Sequence, residues 1–499
     1  MNTAQKIAKE STITFSGLVY GNINRFLYTA LLARWVGTEY LGIYSIANSI
    51  ILIAEVLAKM GLEVGVMRFV SRLNPELDRD QIKRLISSAL KATAVFSSII
   101  MILLILSSGW LVKNVFKERP LLQYAIIVFS VALPLNAVTN VSAFATQGLK
   151  FLKYKILTTQ FVKPTILFAM MAMSYFLLSK RMTIILPFAV TGGAGCILML
   201  IMLKRLTGIE IGKILSAPID KELLRFSYPL MFVVILQTLM HWMDILMLGY
   251  FTDSVTVGLY HPAVRTAGLL QALLLSIASI YSPLLSQMHS KSETGKMSDL
   301  YRLVSRWLFT FATPFALVML LLPTKIMLLF GPDYISGALV LVILTAATFS
   351  QAVLGSAGPI LSMSGYVKLS LWNSLGAFLL NVALNIILIP RFGIFGAAWA
   401  TMISLVVSGL ARVIEVRIIL KLTFLNKGFI KPVLAGFISA AALWIIKPFI
   451  MPFHTLVTLT LAGSISLSLF ALTLWLLKLE PEDRDFLKGL HILGKGIRR

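Results

Sequence analysis

Apolar stretches of about 18–27 residues recur along the whole chain, and this feature limits the possible folds most strongly. Each stretch is long enough to cross a bilayer as a helix. Only helices and closed barrels satisfy their backbone polar groups inside lipid, and the alternating pattern of a membrane barrel is absent. Hydrophobic residues make up 58% of the 499 residues. The sequence therefore predicts an all-α integral membrane protein.

Basic residues are concentrated in alternate linkers between the apolar stretches, and the formal net charge is +24. Positively charged linkers stay on the cytoplasmic side of a membrane. This rule predicts about fourteen transmembrane helices in the cytoplasmic (plasma) membrane, with the N- and C-termini both cytoplasmic. Orientation explains most of the charge, so no nucleic acid partner is expected.

Sequence landmarks recur at a nearly constant offset. Gly42–Tyr44 and Gly258–Tyr260 are 216 residues apart, and Gly148 and Gly365 are 217 apart. An even number of spans in each half gives both halves the same orientation. We therefore expect two parallel six-helix repeats around a central cavity, plus two extra C-terminal helices.

The predicted organisation has five parts. In order, they are an N-terminal six-helix lobe over 1–205, a cytoplasmic linker over 206–225, a C-terminal six-helix lobe over 226–420, the extra helices 13 and 14 over 421–478, and a cytoplasmic tail over 479–499.

Three cations at membrane depth, Arg25, Lys59 and Arg265, are candidate substrate-binding residues. A charge at the bilayer centre costs at least about 2.5–3.5 kcal/mol, so it normally faces a protein interior or a watery cavity. Arginine presents a planar fork of donors that suits an anion. The alternative is pairing within the protein: Lys59 with Glu55 and Glu63 at helical spacing, and Arg265 with Asp244.

Three further residues are candidates for coupling or gating. Asp244 and Glu55 are carboxylates within apolar stretches, and either one could bind a proton or a cation. His241 lies three residues before Asp244 and is able to titrate near neutral pH. The alternative for His241 is a hydrogen-bonded packing residue.

Several classes of function lack their sequence signals. The chain has no phosphate-binding G-x-x-x-x-G-K-[ST] motif, no metal-ligand spacing and no outer loop large enough for a catalytic domain. The single cysteine, Cys196, allows no disulfide within the chain. We expect no catalytic residues, metal or cofactor, and a transporter rather than an enzyme.

Motifs spread over nearly the whole chain carry a family resemblance. They are Arg34–Gly37 (RWVG), Asp244–Gly249 (DILMLG), Phe330–Tyr334 (FGPDY), Asn385–Pro390 (NIILIP) and Gly393–Gly396 (GIFG). In their order and spacing the chain resembles the polysaccharide and O-antigen (Wzx-type) flippases of the multidrug/oligosaccharidyl-lipid/polysaccharide exporter superfamily. The resemblance implies a two-lobed transporter whose cavity cations lie on spans 1, 2 and 8, where Arg25, Lys59 and Arg265 lie.

The expected function is to move a polyprenyl-pyrophosphate-linked oligosaccharide from the cytoplasmic to the outer leaflet by alternating access, for surface polysaccharide synthesis. Expected partners are the lipid-linked oligosaccharide, membrane lipids and a glycan polymerase or ligase machinery. Two alternatives are a cation-coupled multidrug or metabolite exporter of the same superfamily and a flippase for the peptidoglycan precursor. A membrane glycosyltransferase or polymerase fits least, because it needs a large outer loop.

Overall fold

The structure, a computed structural model, describes residues 3–74, 77–118, 120–291, 293–478, 480 and 483. Within these ranges it consists of helices and contains no β-strand, which confirms the predicted fold class. The first nine helices are α1 (Thr3–Val36), α2 (Thr38–Lys59), α3 (Leu62–Ser71), α4 (Arg79–Trp110), α5 (Pro120–Gly148), α6 (Leu152–Ile156), α7 (Lys163–Leu177), α8 (Lys180–Thr207) and α9 (Lys221–Phe251). The others are α10 (Ser254–Ser290), α11 (Thr294–Leu321), α12 (Pro323–Met327), α13 (Ala338–Leu354), α14 (Ala357–Met363), α15 (Val367–Phe392), α16 (Ile394–Ile419), α17 (Ile430–Ile450) and α18 (Thr455–Leu476).

Twelve helices in the described part of the chain are long and apolar enough to cross a membrane. They match every predicted span except the first and the eighth, which fall on α1 and α10. These two helices have 34 and 37 residues, and they contain Arg25 and Arg265. Charged and polar side chains lower the hydropathy of a helix. The predicted count of about fourteen transmembrane helices is therefore not confirmed.

The chain divides into two compact units. The first contains the residues up to Arg265 together with Val382–Ala397, and the second contains Thr266–Asn381 and the residues from Ala398 onwards. The predicted lobe boundaries at 205 and 226 stay a prediction.

The core of the first unit lies where α3, α4, α5 and α8 meet the beginning of α9. Leu62, Ile86, Val141 and Leu223 are fully buried within it. The helices contribute these residues from their inward faces, so burial of apolar side chains holds the five segments together.

The predicted second span is broken into α2 and α3. Met60 has φ 49° and Gly61 has φ 73°, so two consecutive residues adopt the left-handed conformation between the helices. A Cβ atom on Gly61 would lie 2.4 Å from the carbonyl oxygen of Ser227 in α9. The break therefore lies where the chain comes closest to α9, and only glycine fits there.

Residues Leu157–Val162 form a π-helix between α6 and α7. Pro164 follows it and has no backbone N–H, which removes a normal i→i−4 hydrogen bond to the carbonyl of Gln160. The wider turn accommodates this loss, and π-helical turns are frequent at functional sites. This segment carries Gln160, which contacts a candidate site residue described below.

The beginnings of α2 and α10 cross at two glycines. A Cβ atom on Gly42 would lie 1.6 Å from the carbonyl oxygen of Ser254, and one on Gly258 would lie 1.9 Å from that of Thr38. Thr38 and Ser254 are 216 residues apart, as are Gly42 and Gly258. A glycine of α2 thus contacts the first residue of α10, and the equivalent glycine of α10 contacts the first residue of α2. This symmetry agrees with the repeat expected from the sequence.

The second unit has its core where α11, α13 and α14 meet the end of α16. Two residues after α18 contact other parts of this unit. Asp483 accepts hydrogen bonds from the buried Arg306 and from Trp307 on α11, both at 2.8 Å. Glu480 pairs with Lys431 at 2.7 Å, and this hydrogen bond holds the pKa of Glu480 below its usual value.

We predict that Gly42→Ala and Gly258→Ala each destabilise the protein by about 1–3 kcal/mol or more, because a methyl group at either position overlaps backbone atoms. The measurement is the unfolding temperature of the purified protein in detergent. Gly193→Ala is the matched control, since a Cβ atom there meets nothing within 4 Å. Equal stability of the Gly42 and Gly193 variants would contradict the close crossing.

Candidate functional site

Arg25 lies on α1, and a neutral side chain holds it. Its Nη2 atom donates a hydrogen bond to Oε1 of Gln160 at 3.0 Å. A Cβ atom on Gly21 would lie 2.3 Å from the same oxygen, so the missing side chain makes room for this contact. The bond orients the guanidinium without neutralising its charge.

Arg265 lies on α10 and faces aromatic side chains. Its guanidinium carbon lies 5.7 Å from the ring centre of Trp242 on α9. Tyr28 and Tyr44 are also within electrostatic range of this charge. Within the described ranges, no carboxylate lies within 4.0 Å of Arg265, so the predicted pairing with Asp244 is not formed.

The two arginines are close enough for their like charges to repel each other. Arg25 also has no carboxylate within 4.0 Å among the residues that the structure describes. Both side chains are half-buried. Two positive charges close together in a poorly solvated region form a strong attractive field for an anion.

Asp244 is buried on α9 and binds neutral donors. Tyr260 Oη donates a hydrogen bond to its Oδ2 atom at 3.3 Å, and Asn385 Nδ2 donates one to Oδ1 at 2.7 Å. These contacts join α9, α10 and α15 within the first unit. His241 is exposed, and its ring lies 4.9 Å from that of Trp242.

Lys59 pairs with two acids across the break between α2 and α3. Its Nζ atom lies 3.3 Å from Glu55 Oε1 and 3.6 Å from Glu63 Oε1. Asn140 on α5 donates a further hydrogen bond to Glu55. The alternative weighed from the sequence, a self-neutralising ladder, is therefore formed, whereas substrate binding by Lys59 stays a prediction.

Lys163 is a further cation inside an apolar stretch that was not among the candidates from the sequence. Its Nζ atom donates a hydrogen bond to Asn136 Oδ1 at 2.6 Å. Its position directly before Pro164, well within the predicted fifth span, could have identified it from the sequence.

Arg412 on α16, in the second unit, was also not among the candidates. Its Nη2 atom donates a hydrogen bond to Ser374 Oγ at 3.4 Å.

An apolar groove of about 510 Å³ opens in the first unit, and no candidate charged residue lines it. Its walls are formed by Val115, Phe116, Leu246, Met247, Tyr250, Phe251 and Ile386. In the described ranges, no group of three or more His, Cys, Asp or Glu residues is placed to bind a metal ion.

Two family profiles match the chain. The profile described as Polysaccharide biosynthesis protein matches residues 7–289, and the profile described as MatE matches residues 229–387.

Three curated archaeal proteins are similar over part of their length. An uncharacterised membrane protein of Methanocaldococcus jannaschii is 27% identical over 48% of this chain and 47% of its own. Two Haloferax volcanii proteins, the "Probable low-salt glycan biosynthesis flippase Agl15" and the "Probable flippase AglR", are 30% and 28% identical. Each match covers 34% of this chain, with 36% of Agl15 and 37% of AglR. The chain thus spans about half or less of these relatives.

Solved transporter structures share the fold. The lipid II flippase MurJ in an inward closed conformation superposes with a TM-score of 0.73 at 15% identity, over 94% of this chain and 99% of its own. An inward-facing MATE family multidrug transporter superposes with a TM-score of 0.65 at 14% identity, over 82% and 98%. At such identities the likeness shows the fold alone.

We predict that Lys59→Met destabilises the protein by roughly 3–5 kcal/mol, because it leaves two buried carboxylates facing each other without a cation. The measurement is the unfolding temperature in detergent. The triple variant Glu55→Gln, Lys59→Met, Glu63→Gln is expected to recover most of the loss, because it carries no buried charge. A Lys59→Met protein of unchanged stability that no longer binds substrate would show instead that Lys59 is a ligand.

Proposed function

Because the chain belongs to the polysaccharide biosynthesis protein family, we propose that it is a flippase for a polyprenyl-pyrophosphate-linked oligosaccharide. It moves this lipid from the cytoplasmic to the outer leaflet by alternating access. Its relatives are named as flippases and transporters, which makes it a transporter rather than an enzyme. It is a multi-pass membrane protein, and we infer that both termini are cytoplasmic from the basic linkers.

The observation that carries the proposal is the pair of uncompensated arginines. Arg25 is bound to neutral Gln160 and Arg265 faces Trp242, so neither charge is neutralised by a carboxylate in the described part of the chain. A pyrophosphate diester brings about two negative charges, which match two guanidinium groups in number and geometry. The same charges would exclude a cationic drug.

The glycan and the lipid tail have different requirements. We infer that Arg25 and Arg265 line the space that the sugars and the pyrophosphate occupy, while the polyprenyl chain stays in lipid. Transfer of the pyrophosphate through hydrocarbon without such a site would carry the cost of an unpaired charge in a low-dielectric medium.

We assign the return step to Asp244. Its carboxylate is buried on α9 and accepts hydrogen bonds from Tyr260 on α10 and Asn385 on α15. A carboxylate within a span can take up a proton or a monovalent cation, and the membrane potential contributes about 2.3 kcal/mol per charge per 100 mV. The other candidate acid, Glu55, forms an ion pair with Lys59.

A flippase for the peptidoglycan precursor is a second candidate, which the sequence left open; MurJ, whose fold is similar, is named as a lipid II flippase. The same arginine site serves either substrate, because both lipids carry a pyrophosphate. Reconstituted transport with each lipid separates the two candidates.

We expect Arg25→Ala and Arg265→Ala each to reduce transport at least about tenfold, because each removes a charge-assisted hydrogen bond to the pyrophosphate. The measurement is movement of a fluorescent lipid-linked oligosaccharide across proteoliposomes. Arg25→Lys is expected to retain part of the activity, because it keeps the charge but loses the fork.

Arg181→Ala, at an exposed arginine near the start of α8, is the matched control and is expected to transport normally. Normal transport by the Arg25→Ala and Arg265→Ala proteins would refute the arginine site.

We expect Asp244→Asn to bind the lipid with unchanged affinity and to transport it at a much lower rate. Asparagine keeps the shape and an acceptor for the Tyr260 hydroxyl, but it loses the charge that takes up the coupling ion. Binding and transport are measured in the same proteoliposomes, with and without an imposed membrane potential. Transport with an unaltered response to the potential would rule out Asp244 as the coupling residue.

A further inference from the structure

Three buried polar atoms in one region have no hydrogen-bond partner within the described residues. They are both ring nitrogens of His261 and Arg265 Nε. The buried Tyr28 hydroxyl lies in the same region, within reach of Tyr44. A buried polar atom without a partner carries a desolvation cost, and native proteins contain few of them, so this group requires an explanation.

These atoms belong to one neighbourhood. The Tyr28 and Tyr44 rings are 5.9 Å apart, and the Tyr44 and His261 rings are 6.5 Å apart at a nearly right angle. Arg265 is within electrostatic range of all three side chains. Tyr28 is 3% exposed and His261 is 0% exposed, so bulk water satisfies neither.

The chemistry of the group identifies what it can bind. A guanidinium only donates hydrogen bonds, while a tyrosine hydroxyl and a neutral imidazole can each donate one. The complementary ligand therefore carries acceptor oxygens. Arg25 and Arg265 repel each other, and neither a cation nor a water molecule neutralises their charges. We therefore expect the ligand to be negatively charged.

We propose that His261 and Tyr28 belong to the binding site, and that they donate hydrogen bonds to the phosphate oxygens attracted by Arg25 and Arg265. The inference rests on the proposed function and adds two neutral donors to the two charged ones. The charged groups supply attraction, while the buried His261 and Tyr28 fix where the oxygens bind. They select a diphosphate over a carboxylate, which has fewer acceptor oxygens.

The test uses the full chain in detergent, with farnesyl diphosphate as the lipid-linked probe and inorganic pyrophosphate as the free one. Affinity and unfolding temperature are measured for wild type, His261→Phe, His261→Gln and Tyr28→Phe. His261→Phe removes ring nitrogens that have no partner in the ligand-free protein, so its unfolding temperature is expected to stay equal or to rise.

For His261→Phe and Tyr28→Phe, the affinity for farnesyl diphosphate is expected to fall about tenfold or more. His261→Gln, which keeps a donor, is expected to recover part of the affinity. Pyrophosphate binding that weakens in parallel shows that the diphosphate is recognised, whereas weakening with the prenyl probe alone would place His261 and Tyr28 against the lipid and overturn the proposal.

Tyr281→Phe is the matched control. Its hydroxyl is also buried without a partner in the described part of the chain, but it lies in the second unit. Removal of this hydroxyl is expected to leave the affinity unchanged.

Unchanged affinity of the His261→Phe and Tyr28→Phe proteins overturns the inference. If Arg25→Ala and Arg265→Ala still lose binding in that case, the proposed function stands without His261 and Tyr28. If the arginine variants also bind both probes normally, the proposed function fails together with the inference. A His261→Phe protein that unfolds leaves Tyr28→Phe and His261→Gln to decide the question.

Discussion

The repulsion between Arg25 and Arg265 is the interaction on which the functional interpretation depends. Two like charges within electrostatic range of each other favour the binding of an anion. The side chains that contact them, Gln160 and Trp242, are uncharged and do not neutralise them. These surroundings are consistent with the proposed binding of an anionic lipid at this site.

The repeat places different chemistry at equivalent positions of the two halves. At the offset of 216 residues, Tyr28 corresponds to Asp244, Tyr44 to Tyr260 and Arg25 to His241. In the first half, Tyr28 lies beside Tyr44; in the second, the Tyr260 hydroxyl donates a hydrogen bond to Asp244. The close crossing at Gly42 and Gly258 brings the two pairs into the same compact unit. One half thus provides a neutral donor where the other provides an acid, and one scaffold can separate binding from coupling.

Composition and charge pattern were sufficient to predict an all-helical membrane protein, because bilayer thickness limits both the length and the polarity of a span. They could not predict the break at Met60 and Gly61, which depends on how closely α9 approaches. Arg25 and Arg265 were found from their depth in apolar stretches. His261 and Tyr28 were not, because an uncharged donor in a span normally indicates packing, and only their position beside Arg265 and the missing partners of His261 distinguish them. Lys59 shows the opposite case, since spacing alone allowed both a ligand and the observed ladder.

The acids of the spans supply the strongest argument against a cation exporter. A cavity for a cationic substrate needs carboxylates that are available to it. Glu55 and Glu63 are bound by Lys59. In the second unit, Glu415 accepts a hydrogen bond from Asn373 at 2.5 Å. These acids are thus held by donors, whereas Arg25 and Arg265 are held by no acid in the described ranges. A cationic substrate would have to displace those donors and approach two arginines, so the balance of charge supports the proposed anionic substrate even though the fold is shared with a multidrug transporter.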